Sequence, residues 1–448
     1  MRLFSWCAGK DLNLRSPKAT DLQSVVIDHS TTDAYCTYSA YTGTSLVYTI
    51  YTFFQLSRDI GITTGALYMK NSPKAPLSYI GLSASNLVHN IATIRAILAK
   101  DVRVAFAIKG NAYGHGQSEI VKIAEPHVDY FMVNSLEELR LLRTISNKPT
   151  FLLGYVSEVH ISEALSLGCI LGVFSLEQFL RVQKYAKKAG IVQDVHIACD
   201  ALLGREGFLE KELPAVLILA KKSKNVRITG MYAHFANIED TNNFTHAERQ
   251  ISAYARMREI ASEYGYGNIT THISATSGVL AYESNNAVNP LVRIGIGAYG
   301  LWPSEHLEYQ HRRKVRFEPV LSWKTHIAQV KKLPAGRTIG YGLTYMTQKA
   351  TKIALIPQGY ADGYPRALSN AGHVLIGGKK CPIRGRVSMN MFVVDVSKVS
   401  KVTEGDEVVL LGSQGKAHIS AEELGALAGS INYEVVTRIS PLLPRVVR

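Results

Sequence analysis

Lys109 closes the apolar run Val104-Ala105-Phe106-Ala107-Ile108 and opens the glycine-rich segment Gly110-Asn111-Ala112-Tyr113-Gly114-His115-Gly116. An amine at the end of a buried strand loses hydration. That opposes its charged form and lowers its pKa toward the range where a lysine is a nucleophile or a base. The bland alternative is a strand-end lysine whose ammonium snorkels into water. The following turn favours chemistry, because Gly114 and Gly116 allow a ligand to approach the backbone and Tyr113 sets a phenol beside it.

Other residues suited to chemistry also follow short apolar runs: Arg205, His234, Thr276, Ser277 and Arg293, with Gly295 and Ile296 just beyond. Taken singly, His234 reads as a satisfied core histidine, Ser277 as a helix N-cap and Arg205 as a surface charge. Their common placement argues otherwise. Eight strand-like runs (Val104–Lys109, Tyr130–Asn134, Thr150–Leu153, Ile170–Phe174, Val195–Cys199, Arg227–Tyr232, Thr270–Ser274, Val292–Ile296) alternate with amphipathic segments such as Leu136–Thr144, Leu176–Ala189 and Ala247–Tyr264. This alternation predicts an α/β fold, a (β/α)8 TIM-type barrel; an open doubly wound sheet is disfavoured because no GxGxxG follows the first strand. Barrel active sites lie at the carboxyl ends of the strands, where all these residues fall. Ser277 with the backbone N–H groups of Gly295 and Ile296 then makes a phosphate cradle in the usual barrel position.

From about Phe317 the pattern changes. Val320–Val330, Lys352–Pro357, His373–Ile376, Phe392–Val396 and Glu407–Gly412 are strand-like without long intervening helices, and Ser420-Ala421-Glu422-Glu423 is a capping box opening a helix through Ala428. The barrel is assigned to residues 69–312 and a mainly β C-terminal domain to 313–448.

The chain has 448 residues, 46% hydrophobic and 19% charged, with a formal charge of +14. That describes an ordinary globular protein long enough for two domains. There is no Lys/Arg block or aromatic–basic motif, so anionic small molecules account for the charge better than nucleic acid does. No segment reads as a membrane span. The five cysteines are scattered, odd in number and without CxxC spacing, so neither a disulfide framework nor a zinc site follows and a reducing cytoplasm fits best.

Residues 1–68 lack a convincing helical or strand period. They include a Thr/Ser/Tyr-rich tract from Thr31 to Thr52 and no secretory signal pattern. A disordered arm, a strand pair recruited by a partner and sequence that is not naturally translated all fit; the last is favoured here, with Met69 as the start.

The lysine segment resembles the pyridoxal-phosphate motif of bacterial alanine racemases. Val292-Arg293-Ile294-Gly295-Ile296-Gly297-Ala298-Tyr299-Gly300-Leu301, Gly359-Tyr360-Ala361-Asp362-Gly363-Tyr364-Pro365-Arg366, Arg386-Val387-Ser388-Met389-Asn390 and Asn432-Tyr433-Glu434 are similar to that family in order and spacing. The likeness runs from about Met69 to Arg448. It implies that Lys109 tethers pyridoxal 5'-phosphate and that Tyr113, Ser277, Gly295, Ile296 and Tyr433 bind its phosphate. Arg293 faces the pyridine nitrogen on this reading. It implies two bases on opposite faces of the cofactor, Lys109 and Tyr341, with His234 and Arg293 polarising the tyrosine, whose ordinary pKa near 10 makes it a poor base. Tyr341, Tyr360 and Met389 are then supplied by a second copy, in a head-to-tail homodimer, and the reaction is interconversion of L- and D-alanine for peptidoglycan.

Three positions depart from the family. Many members hold the arginine corresponding to Arg205 with a carbamylated lysine seven residues earlier, where this chain has Ala198. A carboxylate such as Asp200, a bound chloride or a looser arginine are the options left. Met389-Asn390 replaces the usual Met-Asp at the substrate entrance, and Thr276-Ser277 replaces Asn-Ser. A racemase of broader specificity (serine, lysine, arginine), a barrel-type decarboxylase of basic amino acids and a non-catalytic cofactor-binding protein are the alternatives.

Overall fold

A computed structural model describes residues 76–282 and 290–448 in full. In the N-terminal segment it describes the backbone of three short strands, Val26–Asp28, Tyr35–Tyr38 and Tyr48–Ile50, paired antiparallel. The remainder of residues 1–68, for which an untranslated or disordered extension was expected, lies outside the described residues.

The eight expected barrel strands form: β1 (Arg103–Ala107), β2 (Tyr130–Val133), β3 (Thr150–Leu152), β4 (Ile170–Val173), β5 (Gln193–Ala198), β6 (Val226–Tyr232), β7 (Thr270–His272) and β8 (Leu291–Ile294). They pair in parallel in sequence order, with β8 returning to β1 in the register Val104↔Val292. The β7–β8 seam has no ladder; it is joined where the Arg293 N–H donates to the Ser274 carbonyl at 3.0 Å. Alternation sorts each strand. Val104, Phe106, Val292 and Ile294 join the main core under the helices, while Ala105, Ala107, Met132, Phe151 and Leu291 form a separate small cluster. Phe151 packs on Tyr130, His196 and His272 at centroid distances of 5.0, 4.8 and 5.5 Å, so aromatic rings continue that cluster. Gly230 is required here, since a Cβ would stand 2.5 Å from the His196 Nε2.

The second domain has a six-strand path: Lys379–Pro382, His373–Ile376, Glu407–Gln414, Leu321–His326, Tyr79–Leu82 and Arg445–Val447. Tyr79–Leu82 precedes the barrel in sequence, within the segment assigned to it, yet belongs to this sheet. Val320–Val330, read as one strand, is two. After His326 the chain leaves the first sheet, the Ile327 N–H bonding the Asp406 carbonyl and the Ala328 N–H the Leu355 carbonyl, both at 2.9 Å. It then enters a three-stranded sheet of Gln329–Leu333, Thr351–Ile356 and Phe392–Asp395. A two-stranded ribbon, Thr338–Ile339 with Tyr345–Met346, carries Tyr341 on its turn. The helix Ala421–Ala428 shows half of the expected capping box: the Glu423 N–H donates to Ser420 Oγ at 3.0 Å, while the Glu423 carboxylate pairs with Lys380 at 2.6 Å instead.

The two domains meet behind Lys109. The helix Asn432–Thr437 lies so close to Gly114 that a Cβ on this glycine would overlap the Val436 carbonyl oxygen, and Gly114 itself has φ +78°. Gly114→Ala is expected to lower stability by about 1–3 kcal/mol from backbone strain alone, with the steric overlap adding to it. Chemical denaturation of purified wild type and variant measures this, and an unchanged midpoint would contradict the packing described.

Candidate active site

The segment after β1 turns left-handed. Gly110, Asn111, Ala112 and Tyr113 have φ of +61°, +53°, +53° and +53°. For the three residues that carry a Cβ this costs about 1–2 kcal/mol each, so the conformation has to be held from outside. Within the turn, Ala112 N–H bonds the Ile108 carbonyl at 2.9 Å and Gly116 N–H the Asn111 carbonyl at 3.0 Å. The Asn111 side chain accepts from Gln117 N–H at 2.9 Å. Glu138 accepts from Gly110 N–H at 2.6 Å through one carboxylate oxygen and from Asn134 N–H at 2.8 Å through the other, tying the ends of β1 and β2 together. From the C-terminal strand, Arg445 Nη2 bonds the Gly114 carbonyl at 2.7 Å.

This turn presents Lys109 at the carboxyl end of the barrel. Its side chain reaches solvent there but makes no hydrogen bond or ion pair among the described residues. Loss of hydration in the barrel mouth, then the nearby Arg205, push its pKa below the ordinary lysine value; Arg293 adds to this, and Glu138 and Glu206 oppose it.

Arg293 is 5% exposed and has no carboxylate partner among the described residues. Its guanidinium donates to the carbonyls of Ala233 (2.7 Å), His272 (3.0 Å) and Ile273 (3.3 Å) and to His272 Nδ1 (2.5 Å). Because His272 Nδ1 accepts, its Nε2 carries the proton and donates to His196 Nδ1 at 2.8 Å. Arg293 Nη2 also lies 3.4 Å from His234 Nδ1. Desolvation first, and Arg293 second, push His234 down to about 3, so this imidazole is neutral at physiological pH. Arg293 itself is drawn down to about 10 by burial and keeps its charge.

Beside His234 a cavity of about 360 Å³ opens, lined by Arg205, His234, Glu239, Ala275, Ser277 and Gly278 among others. Buried Ser277 donates to Glu239 Oε1 at 2.5 Å. The Gly295 N–H is used internally, bonding Thr276 Oγ1 at 3.2 Å, whereas no protein partner is found for the Ile296 N–H among the described residues. A Cβ on Gly295 would stand 2.8 Å from the Tyr113 hydroxyl, so the glycine keeps the space around that phenol open. Tyr113 and Tyr433 lie with ring centroids 6.2 Å apart, and burial raises both phenols' pKa, holding them neutral as hydrogen-bond donors.

Arg205 is exposed at the cavity rim and forks onto Glu206, Nη2 to Oε1 at 2.8 Å with a second bond from Nε to Oε2. Asp200, expected as a possible partner for this arginine, is instead committed to its own turn, accepting from the Leu203 and Gly204 N–H groups at 2.9 Å each. The sequence reading missed three carboxylates here. Glu138 had a signal in the Ser135-Leu136-Glu137-Glu138 capping box; Glu206 and Glu239 had none.

Within one copy the structure thus gathers Lys109, Arg205, His234, Ser277, Arg293, Gly295 and Ile296 at the barrel mouth, with Tyr113 and Tyr433 beside them. Tyr341, Tyr360 and Met389 are elsewhere. They line a separate cavity on the β domain and are 74%, 44% and 55% exposed. Asn390 lines it too.

A parallel barrel with a lysine that has no ionic partner among the described residues and with hydroxyl donors at its mouth, joined to a β domain, agrees with the barrel class to which the sequence motifs pointed. Family models narrow the class. The alanine racemase N-terminal domain matches residues 82–303 and the alanine racemase C-terminal domain residues 320–447. The chain is 35% identical over 368 residues to an alanine racemase of Methanococcus maripaludis, covering 82% of this chain and 97% of that protein. It is 34% identical over 366 residues to one of Halothermothrix orenii, covering 81% and 95%. Among solved structures it resembles alanine racemase of Clostridium difficile 630 (TM-score 0.78, 29% identity, 84% of this chain and 97% of that one). It is also similar to the Bacillus anthracis enzyme with bound L-Ala-P (TM-score 0.78, 30% identity, 84% and 96%). This chain belongs to the alanine racemase family, whose members are pyridoxal-phosphate-dependent isomerases. None of the matched regions includes the N-terminal 68 residues in the family models, and among the described residues no helix is long and apolar enough to cross a membrane.

Proposed function

We propose that this chain interconverts L- and D-alanine with pyridoxal 5'-phosphate held at the barrel mouth, supplying D-alanine for peptidoglycan in the cytoplasm. The observation that carries this reading is the placement of Lys109 at the carboxyl end of β1, without an ionic partner among the described residues and within electrostatic reach of Arg205 and Arg293. The donor chemistry fits the cofactor: an amine for its aldehyde, neutral hydroxyls of Tyr113, Ser277 and Tyr433 with the Ile296 N–H for its phosphate, and a fixed guanidinium on Arg293 for its ring nitrogen. When bound, the cofactor supplies the electron sink that makes an α-hydrogen removable.

The protein's part is proton handling. Lys109 Nζ takes or returns the α-proton on one face and Tyr341 Oη of the partner subunit does so on the other, which inverts the centre. His234, kept neutral by burial and by Arg293, is able to hydrogen-bond that phenol and ease its deprotonation. Tyr341, Tyr360, Met389 and Met391 are large exposed apolar groups on one face of the β domain, a patch suited to burial by a second copy. We assign the barrel to residues 69–312 except the strand Tyr79–Leu82, which joins the sheet of the β domain at 313–448, and residues 1–68 to an N-terminal extension. Arg205, Met389 and Tyr360 contact the substrate on this reading, and Gly295 makes room for the phosphate.

Lys109→Ala is expected to lose both racemisation and the visible absorbance of the tethered cofactor; persistence of that absorbance in the purified variant would refute the tether. Tyr341→Phe is expected to slow racemisation by about 10²-fold or more, with α-hydrogen exchange in deuterated water suppressed more from one enantiomer than from the other. Equal suppression from both would count against two bases. Glu239 now accepts the Ser277 hydroxyl that the phosphate needs. Removing its like charge with Glu239→Ala is expected to tighten inorganic phosphate binding to the cofactor-free protein about tenfold, as calorimetry measures. Unchanged affinity would show that the carboxylate does not compete there.

A further inference from the structure

Ala198 ends β5 with a buried methyl and can carry no carbamate. The arginine that a carbamate holds in many relatives nonetheless has an anion here, from the adjacent residue. The Arg205–Glu206 contact is a two-bond fork, Nη2 to Oε1 at 2.8 Å beside Nε to Oε2, the geometry in which guanidinium and carboxylate bind most strongly. Asp200, the acid expected for this role, is held by two turn amides. Glu206 is half-buried where Arg205 is exposed, so the carboxylate is the better-anchored member of the pair. Glu206 also faces the reaction centre electrostatically. Burial works against its charge, but the Arg205 bond and the Lys109 and Arg205 charges outweigh this and hold its pKa below the ordinary glutamate value.

We infer that Glu206 is a positioning residue that replaces the missing carbamate, fixing the Arg205 guanidinium at the cavity rim to receive the carboxylate of the amino-acid substrate. The side chain acts through Arg205 and does not touch the reacting atoms. Without it Arg205 is a solvated side chain free to leave the rim, and a substrate carboxylate has to order it at each encounter. The inference rests on the racemase reading above.

The test uses the holoenzyme and two readouts. Glu206→Gln, which keeps the shape and loses the charge, is expected to raise KM for both alanine enantiomers about tenfold, the scale of one charge-assisted interaction. The expected change in kcat is less than about threefold, since the lost interaction binds ground state and transition state alike. The dissociation constant of propionate, which is alanine without its amine, is expected to rise by a similar factor, and Glu206→Asp to recover part of both losses. Should Glu206→Gln not fold, Glu206→Ala serves with the same expectations. A wild-type KM and propionate affinity in the charge-deleted variant, or a loss confined to kcat, would overturn the inference. A wild-type protein that does not racemise alanine would instead overturn the function on which it rests.

Discussion

The left-handed turn after β1 is the constraint on which the site depends. Three residues with a Cβ hold φ of +53°, at a cost of about 1–2 kcal/mol each. The turn persists because Glu138, Asn111 and Arg445 hold its polar groups and the helix Asn432–Thr437 closes on Gly114. That packing couples the domains: the β domain secures the barrel segment that presents Lys109. A barrel without its second domain would lose the Val436 wall and the Arg445 bond together.

Around this lysine three cations meet, with carboxylates beside them. Lys109, Arg205 and Arg293 bring positive charge to one region, while the histidines near Arg293 are kept neutral by burial. A buried guanidinium without a carboxylate is costly. Arg293 is tolerated because three carbonyls and an imidazole lone pair satisfy its donors. Such a site suits a doubly anionic phosphate and a substrate carboxylate. Glu239 and Glu206 divide the balancing roles, one at the Ser277 hydroxyl and the other on the Arg205 guanidinium.

Much of this was legible from residue types alone. The eight strand-like runs alternate with amphipathic segments in a way that points to a barrel, and Lys109, His234, Ser277 and Arg293 fall at their carboxyl ends in the sequence. The strand Tyr79–Leu82 escaped because it stands before the regular strand–helix alternation, and its pairing with Leu321–His326 depends on contacts more than two hundred residues away. The sheet change after His326 escaped for a related reason: apolar character continues across it, and only the hydrogen-bond partners differ. The left-handed turn was hidden because Asn111, Ala112 and Tyr113 prefer other conformations; tertiary bonds override that preference. The Arg205 partner was sought in Asp200, and turn geometry, invisible in composition, hands the task to Glu206.

One copy of the chain holds Lys109 and lacks Tyr341 at its barrel mouth. The most direct measurement refolds or co-expresses two variants, Lys109→Ala and Tyr341→Phe, as a mixture. Lys109→Ala alone is expected to lack racemisation, and Tyr341→Phe alone to keep about a hundredth of it or less. In a mixed head-to-tail dimer one site receives both intact residues, so the mixture is expected to regain about a quarter of the wild-type rate, half the dimers being mixed with one working site each. A mixture as inactive as its parts would contradict a site shared between two copies.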